Sequence, residues 1–229
     1  MKTFVNRARL ATASCIAIVA VGVLSIGTAS AQSQAYKQLT PQWWQWALSI
    51  PADANPLNDS TGADCMVGQR GSDWFLGGAF SGGSATRDCS IPDGVSLFFP
   101  VANFIGFDNV GFCGQTEPLG SAFYRALAAD FVNGLSAVSA TLDGQAVKGI
   151  QRVQSPVFNI AMPADGLFGP FCDPPLEGVF SPAVDDGLYV RLNPLAIGNH
   201  TLHFHAENTS QGFLVDMTYH LTVVPVVTK

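Results

Sequence analysis

The sequence predicts a mainly β protein, an antiparallel β-sandwich with two short helices in its N-terminal half. Three observations predict it. Short apolar runs with period-two alternation recur through the second half, separated by Gly, Pro, Asn and Asp. Hydrophobic residues make up 48% of the chain and charged residues only 12%, enough apolar side chain to fill a core between sheets. Helix start and stop signals occur together in only two places, residues 40–49 and 121–133.

A leader precedes the fold. Residues 1–9 carry Lys2, Arg7 and Arg9 without an acid, residues 10–26 are largely apolar, and Ala29-Ser30-Ala31 has the small-x-small pattern of a cleavage site. Residues 1–31 therefore read as a secretory signal peptide. Thr12, Ser14 and the cleavage pattern argue against an uncleaved anchor, and no later segment offers an apolar run of about 18 residues for a membrane span. The expected location is secreted or periplasmic, and the expected mature chain, 32–229, is one β-sandwich domain with a helix-bearing part at 36–135.

In the first predicted helix Thr40 is the N-cap, Pro41 the first helical residue and Pro51 the stop. Gln42, Gln45 and Ser49 fall on one side of the wheel and Trp43, Trp46, Ala47 and Ile50 on the other, with Trp44 and Leu48 on the flank. Residues 51–64 are turn-forming and read as a surface loop. Strands are expected at 74–76 and 95–99. The second helix starts from Ser121 and ends at Gly134, with Phe123, Leu127 and Phe131 stacked along it. Asp143-Gly144 signals a hairpin turn between strands at 136–142 and 145–152, and further strands are expected at 157–161, 187–192, 201–206 and 213–224.

The turn-into-strand segment 195–202 and the closing strand 215–223 resemble bacterial immunoglobulin-like sandwich modules. The resemblance covers 136–229, and it implies a fold rather than an activity. No immunoglobulin-style cysteine pair is evident in that half, which holds only Cys172.

Four cysteines follow the leader: Cys65, Cys89, Cys113 and Cys172. Their spacing matches no zinc pattern, and an even count in an oxidising compartment predicts two disulfides. Of three possible pairings, Cys65 with Cys89 and Cys113 with Cys172 is favoured, since the first closes a Gly-rich loop locally.

Charge excludes one class of partner. Loss of the leader moves the formal balance from −6 to −9, leaving eight Lys and Arg, too few and too outnumbered to grip a phosphate backbone. Nucleic acid is not expected. The surface suits neutral or cationic partners instead.

Two constellations carry candidate chemistry. His203 and His205 project from one face of their strand, and a hairpin through 208–212 sets His203 opposite Thr218 or His220. Three imidazoles with Asp216 and Glu207 nearby would suit a transition metal such as zinc or copper, with His203, His205 and His220 as ligands. The second constellation is aromatic. Trp44 and Trp74 are candidates for stacking on sugar rings, with Gln42, Gln45, Asn58 or Asp64 as hydrogen-bonding neighbours. Asp185-Asp186, Asp173, Glu177 and Asp64 are carboxylates in predicted loops, where functional residues collect. Residues 58–64 are oxygen-rich but lack calcium-loop spacing and read as a turn.

Three functional classes follow. The leading one is a disulfide-bonded binding protein for a glycan or other neutral ligand. The alternatives are an extracellular hydrolase or lyase acting on a polymer, with or without a histidine-bound metal, and a structural envelope protein.

Overall fold

Tyr36, Leu39, Trp43, Ala47 and Ile50 recur at helical spacing. In the computed structural model, which describes residues 26–226, the first four form the buried side of one long helix, α1 (Ile26–Ser49), and Ile50 is buried just past its end. The helix therefore begins well before Thr40, and Pro41 lies inside it. Burial of Tyr36 and Leu39 extends the apolar stripe and outweighs the backbone hydrogen bond that Pro41 cannot donate. Thr40 does not cap; its hydroxyl is buried without a partner. Of the expected leader, residues 1–25 lie outside the described residues and Ala29-Ser30-Ala31 falls within α1.

Two five-stranded sheets follow. Sheet one comprises β1 (Asp73–Phe75), β3 (Ser96–Phe107), β8 (Gly178–Leu192) and β6 (Gln151–Gln154) in that order, with β7 (Phe158–Met162) also paired to β8. Sheet two runs β2 (Gly83–Pro92), β10 (Phe213–Val224), β9 (Gly198–Asn208), β4 (Ala137–Leu142) and β5 (Gln145–Ala146). The sheets are mixed, since β1 pairs parallel to β3 and β2 parallel to β10. Residues before and after 136 contribute strands to both sheets.

The layers are α1, sheet one and sheet two. One core joins α1 to sheet one through Trp43, Trp44, Phe98, Ile160 and Tyr189. A second joins the two sheets through Leu97, Phe99, Leu202, Phe204, Met217 and Tyr219. Each fully buried Leu or Phe in these cores contributes roughly 1.5–3 kcal/mol.

Several elements depart from expectation for identifiable reasons. The strand expected at 145–152 splits: Gln145 and Ala146 pair with β4, and Gln151–Gln154 crosses to sheet one. β2 was not expected, because its alternation runs through Arg87, which is buried rather than solvated. The second helix, α2 (Gly120–Asn133), has no side-chain cap from its own N-terminus. The distant Asp108 takes that role, accepting from the N–H groups of Leu119 at 2.7 Å and Gly120 at 3.1 Å. Burial would raise the Asp108 pKa, but these bonds and one from Gln115 hold it below the ordinary value. Phe123 and Leu127 are exposed; α2 buries Tyr124, Ala128, Phe131 and Val132.

The cysteines pair Cys65 with Cys89 and Cys113 with Cys172. Among the described residues no helix is long and apolar enough to cross a membrane.

Candidate functional site

On β9 and β10, period-two alternation works as expected: Leu202, Phe204, Ala206, Val215, Met217, Tyr219, Leu221 and Val223 point into the core. His203 sits opposite Thr218. The three expected metal ligands do share the outer face of sheet two, yet each ring turns to a carboxylate. His203 meets Asp216 at 2.6 Å, His205 meets Glu207 at 3.4 Å and lies 4.0 Å from the other oxygen of Asp216, and His220 reaches Asp88 on β2 at 3.0 Å. Among the described residues no group of three or more His, Cys, Asp or Glu side chains is disposed to hold a metal ion.

Neither expected sugar platform has a free ring face. Trp44 and Trp74 are both buried. Trp44, on the flank of the helical wheel, turns inward because its indole N–H finds a partner in Asp185 at 2.8 Å. Trp74 packs in the core between the sheets with its indole N–H unpaired.

The partner of Trp44 corrects another expectation. Asp185 and Asp186 are not in a loop but in the middle of β8, each 1% exposed, on opposite sides of sheet one. Asp185 lies beneath α1, where Tyr189 donates its hydroxyl at 2.8 Å and Asn103 in turn donates to Tyr189 at 3.0 Å. Burial pushes the Asp185 pKa up to about 8, against the lowering effect of the Trp44 and Tyr189 hydrogen bonds. Asp186 forms a two-pronged ion pair with Arg152, at 3.0 and 2.8 Å, and accepts a third bond from Gln154 at 2.9 Å. Both aspartates are enclosed, so they organise the sheet rather than face a ligand. The loop at 58–64 is a turn closed by Asp59, which accepts from the N–H groups of Thr61 and Asp64.

Two of the open concavities lie along α1. The larger, of about 730 Å³, follows the last turns of α1. Gln42, Gln45, Ser49, Arg70 and Asn159 supply its polar groups and Trp46, Ile50, Phe75 and Ile160 its apolar ones. The helix presents Gln42, Gln45 and Ser49 there because the tryptophans on its other sides are drawn into the core. Gln45 donates to the Asn159 carbonyl at 3.1 Å, tying α1 to β7, and Trp46 donates to the Val67 carbonyl at 2.9 Å, fixing the loop that carries Arg70. Among the described residues no carboxylate lines this groove, and Arg70 is its one charge. Its size falls within the ordinary range for small-molecule sites.

Gln42 and Gln45 were legible as the polar face of a helix. Asn159 and Arg70 were missed, although alternation along 157–161 marks Asn159 as the outward residue of its strand. Compared with known proteins, the chain matches no family model, no curated protein and no solved structure.

Proposed function

We propose that this chain is an extracytoplasmic binding protein for a neutral, hydroxyl-rich ligand of the glycan class, and that the groove along α1 is its site. One observation carries the reading: a concavity of about 730 Å³ lined by three amide side chains, a serine and one arginine over an apolar floor, with no acid. Amides both donate and accept, which suits vicinal hydroxyls, and the floor suits the apolar face of a sugar ring. The site contains neither a nucleophile–base pair nor facing carboxylates, so binding rather than turnover is the chemistry its lining favours. Export is supported by the leader-like residues 1–31 and by the two disulfides.

The test is a panel of neutral oligosaccharides presented to protein exported with its own leader, alongside a Gln42→Ala/Asn159→Ala double variant. Retention of at least one glycan by the wild type, weakened tenfold or more in the variant, is the expected result. Silence across the panel, or equal binding by both proteins, would refute the assignment.

A further inference from the structure

A second concavity, of about 560 Å³, lies beside the N-terminal half of the described helix and has a different chemistry. Its lining includes Lys37 from α1, Arg125 from α2, and Arg152, Gln151 and Gln154 from β6. Three of the eight Lys and Arg that follow residue 31 thus border one cavity in a chain of formal charge −6. Among the described residues only Arg152 of the three is paired with a carboxylate, Asp186. Arg125 uses one N–H on the Ser155 carbonyl at 2.8 Å, leaving further donors of its guanidinium fork.

Like charges gathered around one cavity repel each other, and an anion between them removes that cost. Neither buried aspartate of β8 offers a substitute, since Asp186 is already taken by Arg152. Asp185 takes its side-chain bonds from Trp44 and Tyr189, and burial keeps it protonated near neutral pH.

We propose that this cavity binds an oxyanion, a carboxylate or sulfate group, held by Lys37 and the Arg125 guanidinium with Gln151 and Gln154 as neutral donors. Arg152, held by Asp186, forms the wall. Guanidinium and ammonium groups together recognise such groups through short, charge-assisted hydrogen bonds. The site is separate from the amide-lined groove, and its occupancy does not depend on that groove's function.

The experiment is calorimetric titration of the exported protein at low ionic strength with sodium sulfate and with sodium glucuronate. Lys37→Gln, Arg125→Gln and, as control, Lys148→Gln, an exposed residue lining neither cavity, are titrated in parallel. The expected result is saturable binding of at least one anion, weakened tenfold or more by Lys37→Gln and by Arg125→Gln and unchanged by Lys148→Gln. Preference for sulfate identifies a tetrahedral oxyanion as the natural occupant, and preference for glucuronate identifies the carboxylate of an acidic sugar. No binding of either anion by the wild type would overturn the proposal, as would binding that all three variants retain. Should Arg125→Gln fail to fold, Lys37→Gln decides the outcome alone, because Lys37 is an exposed helix residue whose loss leaves the core intact.

Discussion

The α1-covered face of sheet one and the outer face of sheet two use polar residues in opposite ways. Beneath α1 the polar groups are few, enclosed and shared: one carboxyl, one phenol, one indole and one amide form a single chain through Asp185, Tyr189, Trp44 and Asn103. On sheet two the histidines and acids stand at the surface in ion pairs, with Asp216 lying between His203 and His205. The first arrangement fixes a helix on a sheet and leaves shaped concavities along it. The second is a solvated face whose pairs are screened and worth little individually. A cluster of chemically attractive residues in sequence thus becomes a structural link where a second element encloses it and a set of solvated pairs where none does.

The largest loss expected from breaking an enclosed polar group is at Arg87 on β2 of sheet two, whose guanidinium is buried among the carbonyls of Asp59 and Gly77 and the Tyr219 hydroxyl, at 2.7, 2.8 and 2.6 Å. Arg87→Met strands those acceptors, and chemical denaturation should report a loss of about 3 kcal/mol. Next comes Asp185, where the sign of the pH dependence is fixed by the raised pKa. Below about pH 4 the group is protonated whether the chain is folded or unfolded. As pH rises towards about 8 the unfolded chain releases the proton and the folded chain keeps it, so stability falls. The slope is at most about 1.4 kcal/mol per pH unit. Asp185→Asn should flatten this part of the denaturation-versus-pH curve. His200, raised by its bond to Asp143, also favours the folded state on the acid side and loses that contribution as pH rises, so the difference between wild type and variant isolates Asp185.

Smaller changes sharpen the contrast. Trp44→Phe keeps an aromatic ring but trims the indole's bulk and removes the N–H that reaches Asp185, with an expected loss of about 2 kcal/mol in urea denaturation. His203→Ala/His205→Ala on the open face should shift stability by roughly 0.5–1 kcal/mol at neutral pH, and raised salt should shrink the difference.

Much of the fold was legible because period alone determines it. The inward sets of β9 and β10 and the polar face of α1 at Gln42, Gln45 and Ser49 follow from alternation or helical spacing, and the hairpin at Asp143-Gly144 from its turn residues. What escaped depended on distant partners. Trp44 turned inward to meet Asp185, 141 residues away, and α2 is capped by Asp108 rather than by its own Ser121. Asp185-Asp186 lies beside a Gly and near a Pro, which suggested a loop, yet each acid finds its partners from β8: Trp44 and Tyr189 on one face, Arg152 on the other. The groove and the cationic cavity are each assembled from three or more segments, so spacing within any one of them carried little signal.

The comparison between the two faces is tested most directly by NMR chemical-shift mapping of isotope-labelled protein titrated with a neutral oligosaccharide retained from the panel. Perturbations concentrated at Gln42, Gln45, Ser49, Arg70 and Asn159 are the result predicted by a site along α1. Perturbations at His203, His205, Asp216 and His220, with the helix unmoved, would place recognition on the open sheet and contradict the account.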